Sequence, residues 1–175
     1  KAFCSAFSDE FITLLVEYYW GKEIKWAYAH GYRLEPIEPQ TYRAFRWHHD
    51  LKRKQVKVMI LLTDTPKNGQ RMEYLAGTHK IWQRFTNHKH VRFSESEVSH
   101  LVNQKVQCTG KAGTVVIFDT NGIHRGNRNK GPRRDQYTCN FTGGKALFTV
   151  PEFHPEVLCN LDTRLKKIFR IGEGQ

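Results

Sequence analysis

The stretch Lys105-Val-Gln-Cys-Thr109, Gly110-Lys-Ala-Gly113, Thr114-Val-Val-Ile-Phe-Asp119, Thr120-Asn-Gly-Ile-His124 decides the fold class. Two short runs rich in β-branched and aromatic residues flank a linker with glycine at each end. That pattern predicts strands over 105–109 and 114–119. It continues in both directions. Downstream, 127–132 is polar and contains glycine, so it reads as a turn before a strand over 134–141. Upstream, 56–62 is nearly continuously apolar, as a buried strand would be. Asn68-Gly69 predicts a hairpin turn leading into 71–75. Residues 41–47 read as a further strand. Another begins near Lys25 and is broken by Pro36 and Pro39. Residues 78–93 lack periodicity and read as a loop. Three helices flank these strands. One starts at Ser8-Asp9-Glu10, with apolar Phe11, Leu14, Leu15 and Tyr18 at helical spacing. A capping-box pattern, Ser94 with Glu97, opens a second that runs to about Val102. The third spans 162–169. Many strands separated by turn signals predict a mainly β fold, a jelly roll of two packed antiparallel sheets with flanking helices.

The strand over 41–47 runs directly into Trp47-His48-His49-Asp50. In extended backbone, residues i and i+2 point to one face. His48 and Asp50 therefore converge, while His49 points to the other side. His124 follows an apolar strand and supplies a third ligand from a distant part of the chain. Two imidazoles and one carboxylate on one face leave further coordination positions open, the arrangement of non-haem Fe(II) oxygenases. An H-x-D pattern alone arises often by chance, so the distal histidine carries much of the weight. Zinc or manganese also accepts this donor set. His88-Lys-His90 is a competing pair in a polar loop, without a third ligand in view.

Trp47-His48-His49-Asp50 together with the segment from Gly113 to Asn127, Arg133-Arg134 and Tyr137-Thr-Cys-Asn-Phe141 resembles the phytanoyl-CoA dioxygenase family. Leu61-Leu62-Thr63-Asp64 and Leu75-Ala-Gly-Thr-His79-Lys80 are similar to the family's middle segments, so the resemblance runs from about Tyr42 to about Phe148. It implies a double-stranded β-helix and a dioxygenase that uses Fe(II), 2-oxoglutarate and O₂. It implies His48, Asp50 and His124 as metal ligands and catalytic centre. It assigns Arg134 to the far carboxylate of 2-oxoglutarate, where a guanidinium offers a bidentate fork. Arg133 is the competitor, and the alternation of a strand lets only one of the two face inward. Leu62 falls where the family lines the co-substrate pocket, and His79 falls near the substrate mouth. Halogenating relatives replace the carboxylate with a small residue. This chain keeps Asp50, which implies hydroxylation.

At 175 residues the chain is expected to be one oxygenase domain with one core. It begins at Lys1 without Met, and part of the N-terminal region is expected to be missing. Apolar residues make up 39% and aromatic residues 13%, which excludes a disordered chain. No run of 18 apolar residues occurs, so no membrane-spanning helix is expected. No signal peptide is visible, and Cys4, Cys108, Cys139 and Cys159 form no C-x-x-C pair. Free thiols in a reducing cytoplasm are expected. The sequon Asn140-Phe141-Thr142 reads as chance. The net charge of +11 favours anionic partners. Lys52, Arg53 and Lys54 follow the first metal motif, and Arg125, Arg128 and Lys130 follow the second. The expected substrate is a small, anionic organic molecule. The alternatives are a nucleic-acid or protein oxygenase of the same chemistry, a cupin-like metal-binding protein without oxygenase activity, and a binding module whose site has decayed.

Overall fold

The structure is a computed structural model that describes residues 2–36, 43–50, 55–80, 91–127, 131–143, 153–158 and 161–172. Among the described residues nine strands appear in chain order: β1 Ile24–Leu34, β2 Trp47–His48, β3 Gln55–Leu61, β4 Met72–Leu75, β5 Arg92–Phe93, β6 Lys105–Cys108, β7 Val115–Asp119, β8 His124–Gly126 and β9 Arg134–Gly143. They make a four-stranded sheet, β1-β9-β3-β7, and a five-stranded sheet, β5-β2-β8-β4-β6. β2 pairs antiparallel with β5 and β8, and β4 with β6 and β8. β3 and β7 are also antiparallel, with Lys57 facing Phe118 and Met59 facing Val116. From β6 to β9 successive strands alternate between the sheets, as the jelly roll requires.

The chain divides into two compact units, one of residues 1–30 and 139–175, the other of residues 31–138. In the first, the helix Glu10–Trp20 is capped by Asp9, whose side chain accepts the Ile12 N–H. This helix buries Ile12, Thr13 and Val16. The expected apolar stripe is turned outward instead, with Phe11 73% and Tyr18 88% exposed. Polar Thr13 can be buried because its hydroxyl donates to the Asp9 or Glu10 carbonyl and accepts from Arg164. Arg164 also pairs with Glu17 at 2.6 Å. The helix Thr163–Ile168 carries Phe169 at its end, where that ring stacks on Trp26. Asn140, at 0% exposure, is no site for glycosylation.

The second unit holds two apolar clusters. One joins Met59 and Leu61 of β3, Met72 of β4 and Cys108 of β6, with Val116 and Phe118 of β7 packed against them. It brings strands of both sheets together, so it is the interior of the roll. The other lies behind the five-stranded sheet. Trp47 and Leu75 meet Val98 and Leu101, from the capped helix Glu95–Val98 and the 3-10 segment Ser99–Gln104 after it. Ser94 and Glu97 make both bonds of the capping box expected there.

Three expectations are corrected. Within the strand expected over 41–47, the described residues from 43 onward form a 3-10 turn at Arg43–Phe45 followed by the two-residue β2, and 41–42 lie outside the described residues. The turn lodges Phe45 against Gly126, where a Cβ would come within 2.9 Å of the ring. Asn68-Gly69 does form a turn, with Gly69 N–H bonded to Pro66 O at 2.8 Å. Yet β3 and β4 belong to different sheets, so no hairpin results. The stretch read as a loop contains β5, which pairs with β2.

Candidate metal and co-substrate site

His48 on β2 stands directly across from His124 on β8. Residues opposite each other in an antiparallel pair present side chains to one face, and the two rings lie 4.4 Å apart. Asp50 follows two residues after His48 and is fixed by its N–H bond to Thr120 O, 3.0 Å long. One ligand atom from each of the three residues falls within 4.8 Å of the others. Asp50 Oδ1 is 3.8 Å from His48 Nε2 and 3.9 Å from His124 Nε2.

Backbone carbonyls set the tautomers. His48 Nδ1 is 2.8 Å from Arg46 O, and His124 Nδ1 is 2.8 Å from Gly122 O. A carbonyl only accepts, so each Nδ1 carries the proton and each Nε2 turns its lone pair toward Asp50. Burial lowers the pKa of His48 and, with the adjacent His48 ring, brings that of His124 down to about 3. Both imidazoles are therefore neutral at neutral pH, as metal ligation demands. Burial alone would raise the Asp50 carboxyl, but the paired Lys57 ammonium opposes it, and the carboxyl lies below its ordinary value. The donor set thus fits a divalent cation.

The turn before His124 is built to aim it. Asp119 Oδ1 accepts the Asn121 N–H at 2.9 Å, and Ile123 N–H donates to Thr78 Oγ1 at 2.8 Å. Tyr74 donates its hydroxyl to Asp119 O at 3.1 Å. The Tyr74 hydroxyl oxygen lies so close to Gly122 that a Cβ there would sit 1.8 Å from it. Phe118 meets the His124 ring edge-on at 5.4 Å, and Tyr74 stacks on it at 6.4 Å.

Arg134 opens β9 and is 4% exposed. Its Nε and Nη1 have no hydrogen-bond partner among the described residues. Burial lowers its pKa to about 10, so it remains cationic at neutral pH. A buried guanidinium without a counter-ion is costly, and the arrangement fits an incoming carboxylate. Arg133 points outward, with half its side chain exposed and Asp135 at 3.9 Å.

The other candidates fall elsewhere. His49 is buried away from the metal group, 6.0 Å from the ring of Phe93. Leu62, expected in the co-substrate pocket, is 43% exposed just past the end of β3. Strand alternation gives the inward position on β3 to its neighbour Leu61. His79 is half-buried with Nδ1 unbonded among the described residues. His88, His90, Cys159, the cations at 52–54, Arg128 and Lys130 lie outside the described residues. Arg125 is committed: its guanidinium bonds Glu73 at 2.9 Å, pairs with Glu95 and lies 4.1 Å over the Trp47 ring. Glu73, at 1% exposure, also takes Arg71 and Asn127 at 2.9 Å each. A cleft of about 680 Å³ beside this network is lined by Arg46, Trp47, Arg92, Phe93 and Arg125 among others. Arg92 stands across from His48 on β5, and its Nε has no partner among the described residues.

Lys57 is the site residue that the sequence did not reveal. Its ammonium is paired with Asp50 Oδ2. Its signal was a lone cation within the otherwise apolar run 56–62.

Among solved structures, the chain is similar to EctD from S. alaskensis with bound Fe, at 19% identity and a TM-score of 0.63. The match covers 80% of this chain and 52% of that one. The non-heme alpha ketoglutarate dependent epimerase SnoN from nogalamycin biosynthesis matches at 16% identity and a TM-score of 0.60, over 79% of this chain and 56% of that one. AviO1 from Streptomyces viridochromogenes Tue57 matches at 18% and 0.55, over 79% and 60%. The chain thus spans about half the length of these structures, and the likeness establishes the fold. No curated protein matches it. The sequence profile of the phytanoyl-CoA dioxygenase family matches residues 30–135, the larger part of the chain, and so the chain belongs to the phytanoyl-CoA dioxygenase family.

Proposed function

We propose that this chain carries the catalytic centre of an Fe(II)- and 2-oxoglutarate-dependent dioxygenase that hydroxylates a small anionic organic molecule. The observation that carries the reading is the convergence of His48 Nε2, His124 Nε2 and an Asp50 oxygen on one face. A ferrous ion held there would supply the coupling of 2-oxoglutarate decarboxylation to substrate oxidation by O₂. His48 and His124 bind as neutral donors, their orientation fixed through Nδ1 by two backbone carbonyls. Asp50 supplies the anionic ligand and fills the position a halide would need, which favours hydroxylation. Arg134 grips the far carboxylate of 2-oxoglutarate and so orients the co-substrate. Phe118, edge-on to His124 and packed with Met59 and Leu61, gives the metal group an apolar flank that would exclude water. Arg92, across from His48 and with Nε unpartnered among the described residues, supports an anionic substrate.

The test is metal and co-substrate binding together with turnover. Purified protein should bind one ferrous or manganous ion per chain, and 2-oxoglutarate should then bind to the loaded form. Succinate release should follow with a panel of small carboxylates and phosphates. His48→Ala should abolish metal binding and His49→Ala should retain it. Loss of the metal in His49→Ala alone would defeat the ligand assignment. Turnover with oligonucleotides alone, showing a steep salt dependence, would overturn the small-molecule reading.

A further inference from the structure

The inner side of β3 presents Lys57, Met59 and Leu61 in alternation. Two of the three are core side chains. Lys57 is a charge among apolar neighbours, across the ladder from Phe118, with 17% of its side chain exposed. Nothing in the apolar packing calls for it there. Its ammonium is directed to one atom, Asp50 Oδ2. The other carboxylate oxygen, Oδ1, is the one nearly equidistant from the two imidazole Nε2 atoms, at 3.8 and 3.9 Å. The carboxylate is therefore divided between two duties.

We propose that Lys57 is a positioning residue that clamps Asp50 Oδ2, so that Asp50 offers a metal a single oxygen and the side opposite the three ligands stays open for a chelating co-substrate. The proposal rests on the metal-site reading above. A carboxylate free of such a clamp can bind a divalent ion through both oxygens, which would consume one of the positions 2-oxoglutarate needs. The clamp also places a positive charge next to the cation, and like charges at this range repel. Lys57 therefore weakens metal binding while it favours co-substrate binding. Loss of an uncharged outer partner usually lowers metal affinity, by about 10–100-fold. Here the sign is reversed, because the partner is a cation.

The experiment compares the wild-type chain with Lys57→Met and Lys57→Gln, using Mn(II) as the probe metal. Three measurements are made: the Mn(II) dissociation constant, the water-proton relaxivity of the bound ion, which counts its waters, and 2-oxoglutarate affinity for the Mn(II)-loaded protein. Lys57→Met should bind Mn(II) about tenfold more tightly, lose about one bound water and bind 2-oxoglutarate about tenfold more weakly. Lys57→Gln removes the charge but keeps a donor toward Oδ2. It should gain metal affinity and keep the wild-type water count. A damaged fold would weaken both ligands together, so opposite changes identify the clamp. If Lys57→Met fails to fold, the Lys57→Gln result still decides: unchanged Mn(II) affinity would overturn the proposal. Unchanged water count and co-substrate affinity in a folded Lys57→Met would overturn it too. If the wild-type chain bound no Mn(II) through His48, Asp50 and His124, the metal-site reading itself would fail, and the clamp with it.

Discussion

Replacing Arg134 with methionine removes a buried cation and leaves a side chain of similar length in its place. The guanidinium has two nitrogens without partners among the described residues and is 4% exposed. It therefore bears a desolvation cost that nothing nearby offsets. Arg134→Met should leave the co-substrate-free protein as stable as wild type or more so. A gain of about 1 kcal/mol would raise Tm by about 2–4 °C in a chain of this size. Binding should move the other way. Loss of a buried charge-assisted pair costs about 2–5 kcal/mol, which is about thirtyfold to several thousandfold in Kd. Titration calorimetry of 2-oxoglutarate into the Mn(II)-loaded protein measures the affinity, and thermal melts without co-substrate measure stability. Arg133→Ala is the control, because that side chain is half exposed and lies 3.9 Å from Asp135. Wild-type 2-oxoglutarate affinity in Arg134→Met, or an equal loss in Arg133→Ala, would refute the reasoning. A fall in Tm of several degrees with no change in affinity would make Arg134 a structural residue.

Glu73→Gln should destabilise the fold by about 3–5 kcal/mol in urea unfolding, because it leaves Arg71 and Arg125 short of their shared buried carboxylate. The same network sets a pH dependence. Burial would raise the Glu73 carboxyl, but Arg125, Lys105 and Arg71 outweigh it and hold it below the ordinary 4.5. A carboxyl lowered in the folded state stabilises above its unfolded value, and that contribution fades as pH falls through the folded one. Wild type should lose stability below about pH 4.5 with a component that Glu73→Gln lacks, as acid titration of urea midpoints would show. Gly122→Ala should cost about 1–3 kcal/mol through its collision with Tyr74 and should weaken Mn(II) binding, since it displaces the turn that aims His124. Wild-type metal affinity in a folded Gly122→Ala would show that the turn can relax without moving the imidazole.

The parts of this molecule legible in its sequence are those governed by local alternation. The i, i+2 relation put His48 and Asp50 together and sent His49 elsewhere, and the structure places all three that way. The same rule separated buried Arg134 from exposed Arg133. What escaped depends on partners far along the chain. The turn at Asn68-Gly69 is real, but local turn chemistry does not say which sheet the next strand will join. The helix Glu10–Trp20 has two apolar stripes, and counting residues selected the one with more rings. Burial of the other depends on Arg164, which reaches Thr13 from 151 residues away. Lys57 was hidden because a single charge in an apolar run reads as facing solvent. Arg125 looked available to an anion until Glu73, 52 residues away, was seen to hold it.

Alternation of strands between the sheets also bears on how the chain acquires its site. Tyr74 reaches Asp119 across 45 residues, and Asp135 reaches Thr63 across 72. Such contacts form only after long loops close, and topologies dominated by them fold in milliseconds to seconds rather than microseconds. His48 and His124 meet through the pairing of β2 with β8, so neither sheet half alone presents the ligand set. A nascent chain released before β8 is made carries His48 and Asp50 but no place to hold an ion. For the metal centre proposed here, the ligand set is complete only once β2 and β8 have paired and the roll around them has closed.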